Sequence, residues 1–215
     1  MDVNNGIVRA LNKLTDLLVL NLLFLVCCLP VVTAGAALTA MYAVSLRSVR
    51  YGDGYVVRTF FASFKENLKQ STAAWLICLA IGALAFIDLR FFGQIELGGF
   101  SRYMKLIVLA ILIFVWMVCI WLFPLIAKMR DSLKTQIANA AKMAVAYFFP
   151  YTAACMIIQG AAVYLAIINL GMMMMMLVLG FAGVSYICSF FIYKVFARLI
   201  KEEPASEDDP LYPAE

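Results

Sequence analysis

Residues 27–38 read CCLPVVTAGAAL and lie in the middle of a run from Leu17 to Leu46 that holds no charged residue. Pro30, Gly35 and the small residues around them interrupt the apolar run, so the fold turns on whether 17–46 is one bent helix or two. Proline lacks a backbone N–H and crowds the preceding turn, so it kinks or ends a helix. As one helix the 30 residues extend about 45 Å against about 30 Å of bilayer hydrocarbon, and a kink or tilt absorbs the excess. As two halves, each reaches only about 20 Å, too short to cross. The expectation is one kinked span over roughly 17–44, with a re-entrant hairpin as the alternative. The carbonyl freed near Val26 has Thr33 or a neighbouring helix to meet it. Beyond the break, Gly35, Thr39 and Ala43 recur every four residues as a small-residue stripe that admits a second helix closely.

The rest of the chain is as apolar as this run. It has 215 residues, 65% hydrophobic and 14% charged, with a mean hydropathy of +0.94. A soluble domain carries about 25% charged residues, so the surroundings of most of these side chains must be apolar. Charge-free stretches cover 17–46, 70–87, 106–127 and 143–193. At about 20 residues per crossing, the last is long enough for two helices. The expected fold is all-α: a polytopic membrane helical bundle of about five transmembrane helices plus two short cytoplasmic amphipathic helices. Residues 1–200 form one membrane-embedded domain. The first apolar run is too long for a signal peptide core of about 7–15 residues and reads as a retained anchor.

Charge sets the expected orientation, because cytoplasmic loops keep Lys and Arg. Loops 47–69 and 128–142 with the C-terminal end hold 12 such residues, and the other side holds five. That places the N-terminus outside and the C-terminus in the cytoplasm of a cell membrane. Moving the N-terminus inside sharpens the split to 14 against three, but requires 17–46 to enter and leave on one side. Residues 1–201 carry a net +10, spread over loops between spans. That pattern suits anionic lipid headgroups rather than nucleic acid. The tail from 201 to 215 holds six of the 13 acidic residues and reads as an acidic disordered cytoplasmic tail.

Phe60, Phe64 and Leu68 recur every four residues, with Arg58, Lys65, Glu66 and Lys69 largely on other faces, as in a helix lying in the membrane interface. A second amphipathic stretch, 130–147, sets Leu133, Ile137, Ala140, Ala141 and Ala144 on one side. Phe60, Phe64, Lys65, Leu68, Lys69, Arg130, Leu133 and Lys134 are therefore candidate partner-docking residues. Lys65–Gln70 also aligns with Arg130–Thr135 at an offset of 65. Pro150 is expected to open a span over 150–168.

The chemistry is mostly an absence. The chain has no histidine, which removes Ser-His-Asp and Cys-His catalysis and histidine metal sites. No phosphate-binding loop or dinucleotide fingerprint is present. The six cysteines fall in apolar stretches without metal-ligand spacing and read as small buried hydrophobes. No ionisable residue lies deep in a predicted span, so a carboxylate proton relay is disfavoured. Amides and hydroxyls remain, led by Asn21 and Gln159. Against lipid these must bond another helix, as structural glue or as the lining of a sugar-sized cavity. An enzyme and a cofactor are not expected.

The segment from Asn21-Leu22-Leu23 through Cys28-Leu29-Pro30-Val31-Val32-Thr33-Ala34-Gly35-Ala36-Ala37-Leu38-Thr39-Ala40-Met41-Tyr42 resembles the signature of the YesL family of bacterial integral membrane proteins. Phe60-Phe61 with Ser63–Gln70, and Phe123-Pro124-Leu125-Ile126-Ala127, resemble its sequel. The resemblance implies a small multi-spanning protein without assigned catalytic residues. It also implies association with carbohydrate uptake systems of the ATP-binding-cassette type. The leading expectation is a non-enzymatic accessory or assembly partner of such a system, in contact with lipid and with transporter subunits. The alternative is a small oligomeric transporter or channel in its own right.

Overall fold

The computed structural model describes residues 3–52, 55–94 and 99–199, and among these every regular element is helical. The elements are α1 (Val3–Cys28), α2 (Ala34–Tyr51), α3 (Val56–Gln94), α4 (Gly99–Lys128), α5 (Leu133–Ala146), α6 (Ala153–Ile168), α7 (Leu170–Met175) and α8 (Phe181–Leu199). A π-helical turn, Met176–Gly180, joins α7 to α8.

The run around Pro30 is a hairpin, which corrects the kinked single helix. Pro30 is extended (φ −77°, ψ 108°), and one 3₁₀ turn, Val31–Thr33, returns the chain into α2. The Thr33 hydroxyl donates to the carbonyls of Cys27 (2.8 Å) and Pro30 (2.9 Å), so the carbonyls exposed by the break are met locally. From α3, Trp75 Nε1 donates to Val31 O at 2.9 Å and pins the tip. At the open end the Lys13 ammonium donates to the carbonyls of Gly52 (3.1 Å) and Ser48 (3.4 Å) and to the Ser48 hydroxyl. A cation there complements the helix C-terminus of α2. Between the two ends, Leu20 and Phe24 pack with Ala37, Ala40, Met41 and Val44. The legs are longer than the charge-free run allowed, because α1 passes Asp16, Lys13 and Arg9 and α2 passes Arg47 and Arg50. Gly52, at φ 83°, ends α2 by donating its N–H to Ser48 O, a left-handed stop that glycine adopts without a Cβ penalty.

Six helical segments are long and apolar enough to cross a membrane by length and composition, rather than about five: 10–28, 31–51, 56–91, 102–128, 148–168 and 170–199. The first amphipathic segment is not a separate helix. No glycine or proline stands between Val56 and Ile81, so it runs unbroken into the next span as the 39-residue α3. The second amphipathic segment is a separate helix, α5, capped by Ser132, whose hydroxyl accepts from Thr135 N. Pro150 does not open α6. Phe149 before it is extended (φ −110°, ψ 129°), as a residue preceding proline prefers, and α6 starts three residues later at Ala153.

Two apolar cores hold the bundle. The larger joins Trp121 and the buried stretch of α4 to Tyr42, Ala140, Ala144, Ile192 and Phe196. The smaller joins the hairpin to Phe60 and Ala182. The tail from 201 to 215 lies outside the described residues.

Candidate functional site

A cavity of about 340 Å³ opens among α2, α3, α4, α6 and the α7–α8 rod. Its volume is at the lower end of small-molecule clefts, about 300–1,000 Å³. The wall is dominated by apolar groups such as Leu38, Trp75, Phe123 and Val184. Trp116, Val163 and Phe181 are partly exposed at its rim, so it opens sideways through the bundle surface.

Gln159 is the polar centre of this wall. Its Oε1 accepts from Trp116 Nε1 at 2.8 Å, and its Nε2 donates to Tyr42 Oη at 3.4 Å. Ser185 on the same wall shares a hydrogen bond with Ser45 at 3.3 Å. The polar groups are thus spent on one another, and among the described residues no lysine, arginine or carboxylate lines the cavity. A sugar entering it would leave several hydroxyls unpaired, at about 1–3 kcal/mol each. The wall suits an apolar guest better than a carbohydrate. Among the described residues no cluster of histidine, cysteine, aspartate or glutamate can hold a metal ion.

Asn21 lies away from this cavity and fastens the bundle. It is fully buried. Its Nδ2 donates to Leu177 O at 2.7 Å, and its Oδ1 accepts from Ala182 N at 3.0 Å. Leu177 lies within the π turn and Ala182 just after it, and the turn's wider winding takes backbone groups out of the regular ladder. One amide thereby satisfies a donor and an acceptor and ties α1 to the α7–α8 rod.

The stripe on α2 lies against α3. A Cβ on Gly35 would approach Ser71 O and Trp75 Cβ to 2.5 Å each, so only glycine allows this crossing. Thr39 shares a hydrogen bond with Ser71 at 2.8 Å. Ala43, one turn further on, faces a second cavity at the opposite end of α2 from the hairpin tip.

The docking candidates divide. Phe60 is fully buried and stacks on Phe64 in the smaller core, and Leu133 packs on the larger one. These apolar positions face the protein's own interior, which corrects their reading as a free membrane or partner face. Lys65, Leu68, Lys69, Arg130 and Lys134 are exposed. Arg130 pairs with Glu66 at 2.5 Å. Gln70 donates to Asp131 O (2.8 Å) and to Gln136 Oε1 (2.7 Å). The two segments that align at an offset of 65 are thus bolted side by side into one basic ledge.

Asn21 and Gln159 stand out in the sequence as amides that must bond another helix, but their partners carry no local signal, because Leu177, Ala182 and Tyr42 lie more than 100 positions away. The family described as "protein of unknown function, DUF624" matches residues 17–89, from the first leg of the hairpin through most of α3. No curated protein and no solved structure matches the chain. Over the hairpin and α3, then, the chain is similar to DUF624, the domain family of YesL-like proteins.

Proposed function

We propose that this protein is a non-enzymatic accessory or assembly partner of a carbohydrate uptake system of the ATP-binding-cassette type. Its docking element is the basic ledge of α3 and α5. The observation that carries this reading is the ledge itself: Lys65, Lys69, Arg130 and Lys134 are exposed on a platform whose Phe60, Phe64 and Leu133 pack inward. Such a surface offers charge to a partner without exposing a second apolar core. The resemblance of the Pro30 segment to the YesL signature supplies the class of partner.

In this reading the protein spans a bacterial cell membrane six times, with both termini and the ledge in the cytoplasm. Because the hairpin brings Lys13 beside Gly52, the first two basic residues join the larger group. Lys and Arg then divide 14 against three, a stronger bias than an outside N-terminus gives. Affinity capture from native membranes followed by mass spectrometry tests the proposal. Recovery of transporter membrane subunits supports it, and their repeated absence overturns it.

The cavity favours a second reading, an oligomeric transporter or channel. Because its wall suits an apolar guest, uptake of a labelled apolar solute, with labelled sugar as the comparison, into liposomes holding only this protein separates that reading from the first.

A further inference from the structure

The mouth of the apolar cavity lies far from every charged residue along its helices. It is formed by Trp116, Val163 and Phe181, all partly exposed. Trp116 stands 11 positions after Lys105 and 12 before Lys128, which is about 16 and 18 Å of helix. Half of a bilayer's hydrocarbon core is about 15 Å, so the mouth opens near the bilayer centre. Val163 and Phe181 belong to the charge-free stretch 143–193, with Lys142 and Lys194 at least 13 positions away. In a membrane, the material that meets this mouth is hydrocarbon.

The wall matches those surroundings. Tyr42, Trp75, Trp116, Phe123 and Phe181 present rings to the space. The amide at its centre makes no demand on a guest, because Gln159 bonds Trp116 Nε1 at 2.8 Å, Tyr42 Oη at 3.4 Å and Cys188 Sγ at 3.9 Å. Ser185 is bonded to Ser45. A buried water needs two to four polar partners, whereas an apolar cavity of about 150 Å³ stays dry and binds small apolar molecules. Here the volume is about 340 Å³. Left empty, its lining atoms would lack contacts on one side.

We infer that one acyl chain of a bilayer lipid enters sideways between α4, α6 and α8 and fills this cavity. Acyl chains end at the bilayer centre, so the terminal half of the chain enters and the headgroup stays at the interface. Binding therefore follows the chain and not the headgroup. The inference rests on the membrane-spanning reading and on neither role proposed above.

The test uses the full-length protein in neutral maltoside micelles, titrated with phosphatidylcholine brominated in the terminal half of its acyl chains. Bromine quenches tryptophan fluorescence on contact. Trp75 and Trp116 line the cavity, and Trp121, the third tryptophan, is 1% exposed in the larger core. Quenching saturates at one lipid per protein. Phosphatidylglycerol with the same chains gives the same apparent Kd, and dihexanoyl phosphatidylcholine, whose chains are too short, does not compete. Ala162→Phe from α6 and Val184→Phe from α8 each fill the space and weaken binding about tenfold or more, the value of about two buried methylenes. Their lipid-free melting temperatures stay at or above the wild-type value, because a void is filled, and the rise that lipid gives the wild type is lost. If one of the two fails to fold, the other gives the same readout. Leu84→Phe, on the exposed surface of α3, leaves binding unchanged.

Quenching that grows with lipid without saturating, wild-type affinity in the filled variants, or a Kd that follows the headgroup overturns the inference. Alkaline carbonate extraction of native membranes checks the spanning reading separately. Release of the protein there removes that reading, whereas retention together with unsaturable quenching removes this inference alone.

Discussion

Replacing Asn21 with leucine removes the amide that joins α1 to the α7–α8 rod while keeping nearly the same volume. The structure sets the scale of the loss. Two hydrogen bonds disappear, to Leu177 O at 2.7 Å and from Ala182 N at 3.0 Å. Side-chain hydrogen bonds between membrane helices contribute about 0.6 kcal/mol each on average, so the minimum cost is about 1 kcal/mol. The loss grows if both backbone groups remain unpaired, since each orphaned group costs about 1–3 kcal/mol. Re-forming a regular ladder would require the π turn at Met176–Gly180 to rewind and rotate all of α7 about the rod. The orphans should therefore persist, and the expected loss is about 2–4 kcal/mol. Asn21→Asp keeps the acceptor for Ala182 N but, once ionised, sets a buried charge against Leu177 O, and should cost at least as much as Asn21→Leu. Equilibrium unfolding in mixed micelles measures both. A cost below about 0.5 kcal/mol for Asn21→Leu, within the range of surface substitutions, would refute the assignment of the joint to this amide.

Three further outcomes follow from the helix contacts. Gly35→Ala should destabilise by about 1–3 kcal/mol, the cost of overpacking, because its Cβ meets α3 backbone at 2.5 Å. Gly82→Ala, with nothing within 4 Å, should be neutral or stabilising, and equal melting temperatures for the two variants would contradict the α2–α3 crossing. The sulfurs of Cys78 and Cys119 lie 3.3 Å apart across α3 and α4, so mild oxidation should remove two of the six thiols from maleimide labelling after denaturation. Retention of all six would contradict this register. In a cysteine-free background, an impermeant maleimide applied to intact cells should label Arg102→Cys but neither Asn12→Cys nor Lys134→Cys. Labelling at both Asn12→Cys and Arg102→Cys, with Lys134→Cys silent, would restore an outside N-terminus.

The helical membrane class was legible because almost no charge interrupts the apolar runs. The Gly35 stripe was legible because its period of four is a local property. The hairpin was legible only as the alternative, and the length of its legs was not, since that length was measured between charges. Lys13 and Arg47 lie inside helices that continue past them, and the Lys13 ammonium is accommodated by the carbonyls ending α2. Phe60 and Phe64 show a related ambiguity: an apolar stripe looks the same whether it meets lipid, a partner or its own core. Packing decides which, and here the hairpin legs α1 and α2 cover Phe60. The π turn beside Asn21 carries no sequence signature, and the partners of that amide lie 156 and 161 positions away.

The accessory role rests on the ledge meeting another protein. Photo-crosslinking side chains placed at residues 65 and 134, with a third at residue 84 on the exposed apolar surface of α3, test it in living membranes. The expected result is crosslinks from 65 and 134 to membrane subunits of a carbohydrate transporter, and only lipid adducts from 84. Crosslinks from 65 and 134 solely to a second copy of this chain, or to lipid alone, would contradict it.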